Sequence, residues 1–141
     1  MTDDSLIAAL EAAVHCVLDH LAAELGDLGL RQAEINVLAA LPPGVARPVG
    51  ELVAATGQRP STLTGVLDRL EAKRLVRRRV NPADRRSFTI ALTATGETAA
   101  KRVRDAFATL DGRVRDDLPP DAIQGFHHVL DALERHTKGR T

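Results

Sequence analysis

Tyrosine and tryptophan are absent from the 141 residues, and the aromatics amount to 2%, namely Phe88, Phe107 and Phe126. Stacking of single-stranded bases on rings needs several such platforms, so that mode of binding is effectively excluded. There is one cysteine, Cys16. A lone thiol makes neither an intramolecular disulfide nor a cysteine-rich zinc site, which removes the stapled secreted scaffolds and points to a reducing, cytoplasmic setting. No apolar run approaches the roughly 18 residues that a membrane span needs. The N-terminal Met-Thr-Asp-Asp-Ser is acidic where a signal peptide would be basic. A cytoplasmic protein with no membrane partner is therefore expected. Net charge is also lacking, at zero, which argues against polyanion binding over the whole surface. What is present is a balance of 44% hydrophobic and 27% charged residues, enough for one globular domain with a buried core. The abundance of Ala, Leu and Arg favours helices.

The zero sum hides an uneven distribution. Residues 1–46 carry one basic residue, Arg31, against seven acidic ones, whereas residues 59–86 carry nine basic residues against Asp68, Glu71 and Asp84. A 28-residue block at +6 is the footprint of a surface that meets phosphates, the plain alternative being a solvated helix face. Apolar spacings of three and four from Leu6 to Leu25 predict a first helix with Ser5 as N-cap. A second helix is expected over 31–41, ended by Pro42-Pro43-Gly44, and a short third over 49–56 with Gly57 in the left-handed position after it. A fourth starts near Pro60 and turns Leu63, Val66, Leu67 and Leu70 inward, leaving Ser61, Thr62, Gly65, Asp68, Arg69 and Lys73 outside. Alternating runs from Leu75 to Val80 and from Phe88 to Leu92, around the turn-rich stretch 81–86, predict a β-hairpin with a basic tip. Two more helices follow, one capped by Thr93 and one after Leu118-Pro119-Pro120.

Two short helices joined through Gly57, the second with hydroxyls and arginines outside, followed directly by a basic hairpin, have the order of a winged helix-turn-helix. A helix about 10–12 Å wide fits the major groove, where small hydroxyl side chains at its N-terminal end approach base edges. Arginines on a protruding hairpin reach the adjacent minor groove or its phosphates. The fold class expected is thus mostly α with a small β-hairpin wing. It is a single domain over 1–141, in which 30–93 is the DNA-binding lobe and 1–28 and 94–141 are long flanking helices.

The series Leu67-Asp68-Arg69-Leu70-Glu71-Ala72-Lys73-Arg74-Leu75-Val76, then Asn81-Pro82-Ala83-Asp84-Arg85-Arg86 and Leu92-Thr93-Ala94-Thr95-Gly96, resembles the MarR family of bacterial winged-helix transcriptional regulators. The likeness covers nearly the whole chain, with Leu30 to Leu41 similar to that family's second helix. The resemblance implies a homodimer, joined through the flanking helices, that binds a pseudo-palindromic operator in double-stranded DNA. It further implies a repressor released by a small-molecule effector. Ser61, Thr62 and Thr64 would lie near the start of the recognition helix, Asp84 would brace the wing, and Arg86 would be the wing-tip arginine. Arg59, Arg69, Lys73 and Arg85 complete the basic surface expected to contact DNA. Gly65 stands where several relatives carry a base-contacting arginine. Arg74 replaces a frequent glycine, which would strain a positive φ by roughly 1 kcal/mol, so a different helix cap is expected there.

Other residues have plainer readings. Cys16 is expected to fill the core, because no tyrosine is present to activate its thiol. His15 and His20, at i and i+5, miss the helical spacing of metal ligands, and no metal or cofactor is expected. There is no nucleophile elbow, no phosphate-binding glycine loop and no forced carboxylate pair, so no enzyme is expected. The rival is a winged helix serving as a protein-interaction module, which would keep the hairpin without needing the +6 block.

Overall fold

The computed structural model describes residues 4–139; Met1 to Asp3 of the acidic N-terminal stretch, and Arg140 and Thr141, lie outside them. Six α-helices and three short strands are seen among these residues. They are α1 (Leu6–Leu25), a 3-10 turn (Gly26–Leu28), α2 (Gln32–Ala40), β1 (Arg47–Pro48), α3 (Val49–Thr56) and α4 (Pro60–Ala72). Then come β2 (Val76–Asn81), β3 (Asp84–Leu92), α5 (Ala94–Asp116) and α6 (Pro120–Thr137). The fold is mostly helical with a winged hairpin, as expected. Packing divides the chain into a first unit running to Phe107 and a second that begins at Ala108. The boundary falls inside α5, whose buried residues all lie in its first half, and α6 has none.

In the first unit, Leu38, Leu52, Leu63, Val66, Leu70, Ile90 and Val103 are fully enclosed. The inner face of α4 is the one its spacing predicts: Leu63, Val66, Leu67 and Leu70 are all buried. Each such side chain contributes on the order of 2 kcal/mol, so this helix is seated by its apolar stripe. The antiparallel sheet has the order β1-β3-β2. Val76 pairs with Leu92 and Val80 with Phe88, and a register shift after Val80 precedes the tip. The strands run closer to the tip than their alternation indicated, because Asp84 already pairs with Asn81. The two-residue β1 had no alternation by which to be seen; it pairs Arg47 with Ile90 and Pro48 with Thr89.

Three expectations are corrected. Cys16 is exposed, because the buried stripe of α1 is confined to Leu21 and Leu25 near its end. The segment Leu6–Leu28 contains an 18-residue window of mean hydropathy 1.6, long and apolar enough by composition to cross a membrane. Alanines and valines between Glu11, Asp19 and Glu24 raise that average, although no uninterrupted apolar run exists. Arg74 keeps the left-handed conformation, with φ +60, despite its side chain. Arg74 N donates to Glu71 O at 2.9 Å and Leu75 N to Leu70 O at 3.0 Å. These are the two bonds of a Schellman cap, closed by the buried contact partners Leu70 and Leu75.

Close approach follows directly after this cap. Thr93 Oγ1 donates to Arg74 O at 2.6 Å and accepts from Gly96 N at 3.0 Å, so the N-cap of α5 is pinned to the end of α4. A Cβ on Gly96 would sit 1.7 Å from the Leu75 carbonyl oxygen. Two substitutions in this small region should therefore act oppositely in thermal unfolding. Arg74→Gly should stabilise by about 1 kcal/mol through relief of the left-handed strain. Gly96→Ala should destabilise by about 2 kcal/mol or more, because a backbone atom cannot yield as a side chain can. Melting temperatures that move together, or not at all, would contradict this account of the junction.

Candidate nucleic-acid interface

The turn between α3 and α4 is built from local rules. Gly57, at φ +69, ends α3 with its N–H on Val53 O at 3.0 Å. Gln58 then ties the turn to α2 through Nε2 on Ala33 O at 3.1 Å. Arg59 is the N-cap of α4 and offers no side-chain cap, while Pro60 occupies the first helical turn with its fixed φ. Arg59, Ser61, Thr62 and Thr64 are all exposed, so the start of α4 presents hydroxyls and one arginine to solvent. The Thr64 hydroxyl donates back to Pro60 O at 3.0 Å, which leaves its oxygen free to accept.

The hairpin tip is equally defined. Asn81 Oδ1 accepts from Ala83 N at 3.0 Å and Asp84 Oδ1 from Arg86 N at 3.0 Å, so each side chain closes its own local turn. Arg85 and Arg86 are exposed there, and no ion pair holds them among the described residues. The same holds for Arg77 and Arg79, which alternate on one face of β2 and were not singled out from the sequence. That alternation was the signal available for them.

Other members of the basic block are committed inside the chain. Arg69 Nε lies 3.2 Å from Glu34 Oε1, and Lys73 Nζ lies 2.9 Å from Glu34 Oε2. Lys73 also reaches Gly29 O at 3.3 Å. Both were expected on the outer, DNA-facing side. Both keep over a third of their side chain exposed, 37% for Arg69 and 40% for Lys73, while their head groups pair with the wholly enclosed Glu34 of α2. Arg78 spans from the wing to α4 through Asp68, at 2.6 Å, with its guanidinium 5.8 Å from the Phe88 ring centre. Neither strut was legible in the sequence, since both join residues far apart in the chain or on unlike elements.

Burial pushes the Glu34 carboxyl up, but the Arg31 N–H at 2.8 Å and the Lys73 and Arg69 cations outweigh it and hold it below the usual carboxylate range. In the lining of a cavity of about 600 Å3, shared with Leu28, Leu30, Leu75 and Thr98, Arg102 forms a two-pronged pair with Asp27. Its hydrogen bonds keep the Asp27 carboxyl below its ordinary value. Among the described residues no cluster of three or more His, Cys, Asp or Glu could hold a metal.

A short α3, a glycine turn, an exposed-hydroxyl α4 and a basic hairpin together define a winged helix-turn-helix. A model described as the MarR family matches residues 28–87. The HTH-type transcriptional repressor MdtR of Bacillus subtilis is 29% identical over 105 residues, covering 74% of this chain and 68% of that protein. The structure of AbsC, a MarR family transcriptional regulator from Streptomyces coelicolor, matches at 27% identity over 99% of this chain and 98% of that one, with a TM-score of 0.76. The transcriptional repressor CouR, bound to a 23-mer DNA duplex, matches at 26% identity over 92% of each chain, with a TM-score of 0.72. Over residues 28–87 the chain is similar to the MarR family, and along most of its length it is similar to regulators of that family. The relatives it matches are transcriptional regulators.

The lowered Glu34 pKa carries a pH dependence. A group depressed in the folded state stabilises the fold above its unfolded value, about 4.3, and that stability is lost as pH falls through the folded value. Urea midpoints should therefore fall as pH drops below that unfolded value, and Glu34→Gln should flatten that fall. At pH 7 the same substitution should cost about 1–3 kcal/mol, because the partners lose a charged acceptor. An unchanged acid profile in the variant would show that Glu34 is not the group concerned.

Proposed function

We propose that the protein is a cytoplasmic repressor that binds a pseudo-palindromic operator in double-stranded DNA as a homodimer and is released by a small-molecule effector. The observation that carries this reading is the joint exposure of Arg59, Ser61, Thr62 and Thr64 at the start of α4 and of Arg85 and Arg86 at the wing tip. Hydroxyls on a groove-sized helix read base edges, and the N–H groups of its first turn favour a phosphate. Arginines at the tip meet phosphate or the flanking minor groove, and Asp84 braces the turn that presents them. That CouR is seen on a DNA duplex supports the same use of this fold here. Arg69 and Lys73 are left out of the direct contacts because Glu34 holds them.

The homodimer rests on apolar surface that the single chain leaves open. Leu6 is 71% exposed and Val14 and Val17 are also open on α1; Val114 and Phe126 are open on the helices of the second unit and Leu118 on the turn between them. Charged groups within α1 make a bilayer a costly place for it, whereas a second copy can cover its apolar stripe and leave those groups wet. The boundaries proposed for these roles remain 1–28 and 94–141 for dimerisation and 30–93 for DNA binding. The cavity beside Arg102 and Asp27 is the proposed seat of the effector.

Two titrations separate positioning from reading. Arg86→Ala should weaken binding to an operator duplex and to a scrambled one alike, and lower the magnitude of the salt slope by about 0.9 per protomer. Thr62→Ala should cost about 1–3 kcal/mol on the operator and almost nothing on the scrambled duplex. Wild-type affinity of Arg86→Ala on both would favour the protein-interaction module instead. In sedimentation, the wild type should be a dimer at low micromolar concentration, and Val14→Glu should move it toward monomer with its helix content intact. A monomeric wild type with full duplex binding would remove the dimeric model.

A further inference from the structure

Glu34 is the one charged residue enclosed among the described residues, on a helix, α2, whose neighbours Ile35, Val37 and Leu38 are also buried. Taking an ion out of water costs several kcal/mol before its partners act, and an apolar residue of similar size often serves stability equally well. What the carboxylate adds is direction. Oε2 accepts from Arg31 N at 2.8 Å and Lys73 Nζ at 2.9 Å, while Oε1 accepts from Arg69 Nε at 3.2 Å and Lys73 Nζ at 3.1 Å. Both oxygens are thus engaged, and the two cations lie one turn apart on the C-terminal half of α4. We propose that Glu34 is a positioning residue: by gripping Arg69 and Lys73 it sets the tilt of α4, so that these two cations serve operator discrimination without touching DNA.

This inference rests on the DNA-binding reading above and adds a lever to it. Arg69 lies eight residues beyond Ser61, about 12 Å along the helix axis, so a tilt of about 5° at the grip displaces the reading end by about 1 Å. Base contacts tolerate about half of that. The Asp68–Arg78 pair at 2.6 Å restrains the same half of the helix from the wing, leaving only its first turns free to meet a ligand.

The test is a set of anisotropy titrations over a range of salt. They use a duplex that the wild type selects from a random pool and a scrambled one, with wild type, Glu34→Gln, Lys73→Met and the double variant. The expected result is a loss of about tenfold on the selected duplex for each single variant, scrambled-duplex affinity held or slightly raised, and an unchanged salt slope for Lys73→Met. The double variant should be no worse than the poorer single one, since both act through one grip. A merely destabilised protein would instead lose apparent affinity equally on both duplexes, and that outcome overturns the inference. So does a salt slope lowered by about 0.9 per protomer in Lys73→Met, which would make Lys73 a phosphate contact. Should Glu34→Gln fail to fold, Lys73→Met decides the matter through its slope and its discrimination. A wild type that binds neither duplex overturns the DNA reading itself, whereas intact wild-type discrimination with either contrary result overturns only the positioning role.

Discussion

Burial of one face of α4 is the constraint on which the remaining structure depends. Leu63, Val66, Leu67 and Leu70 fill the centre of the first unit, and α2, α3 and the base of the wing close around them. With that stripe inside, helical periodicity leaves the residues between them outside, and at the start of the helix these are Ser61, Thr62 and Thr64. Position of the hydroxyls is therefore a consequence of packing. The Schellman cap at Arg74 then ends the helix sharply, and the Gly96 contact brings α5 against the turn that follows. A strained residue and a crowded glycine stand next to each other where recognition helix, wing and flanking helix meet.

The charge block divides into two classes that differ in what they cost. Arg69, Lys73 and Arg78 are tied to Glu34 and Asp68 and hold elements together. Arg59, Arg77, Arg79, Arg85 and Arg86 are exposed and carry no ion pair among the described residues. Free surface arginines contribute little to folding, so their concentration on one stretch of chain has its physical use in meeting an anion. The whole-chain charge of zero leaves that patch local, which suits a protein that must leave non-specific DNA readily.

Much of this was legible from spacing. The apolar intervals of α4, Gly57 after α3 and the alternation across the hairpin each report a local rule, and each element lies where its rule puts it. The Glu34 grip was not legible, because it joins residues about 35 and 39 positions apart, and an arginine on an outer helical position looks free until the fold brings α2 against it. Arg74 misled for a related reason: a local rule disfavours its φ, but the Leu70–Leu75 contact and the Thr93 bond override the strain. Cys16 misled because a stripe on α1 was read as core, although only the end of that helix is covered within the chain. Sequence periodicity states which face is apolar and says nothing of what covers it.

The central proposal is that duplex DNA meets the first turns of α4 and the exposed arginines of the wing, and not the half of α4 that carries Arg69 and Lys73. Amide hydrogen exchange with and without a duplex that the protein itself selects tests this most directly. The account predicts added protection at 58–64 and 83–87, with 68–74 unchanged, because Glu34 and Asp68 already hold that half of the helix. Protection centred on 68–74, or absent from the wing tip, would contradict it.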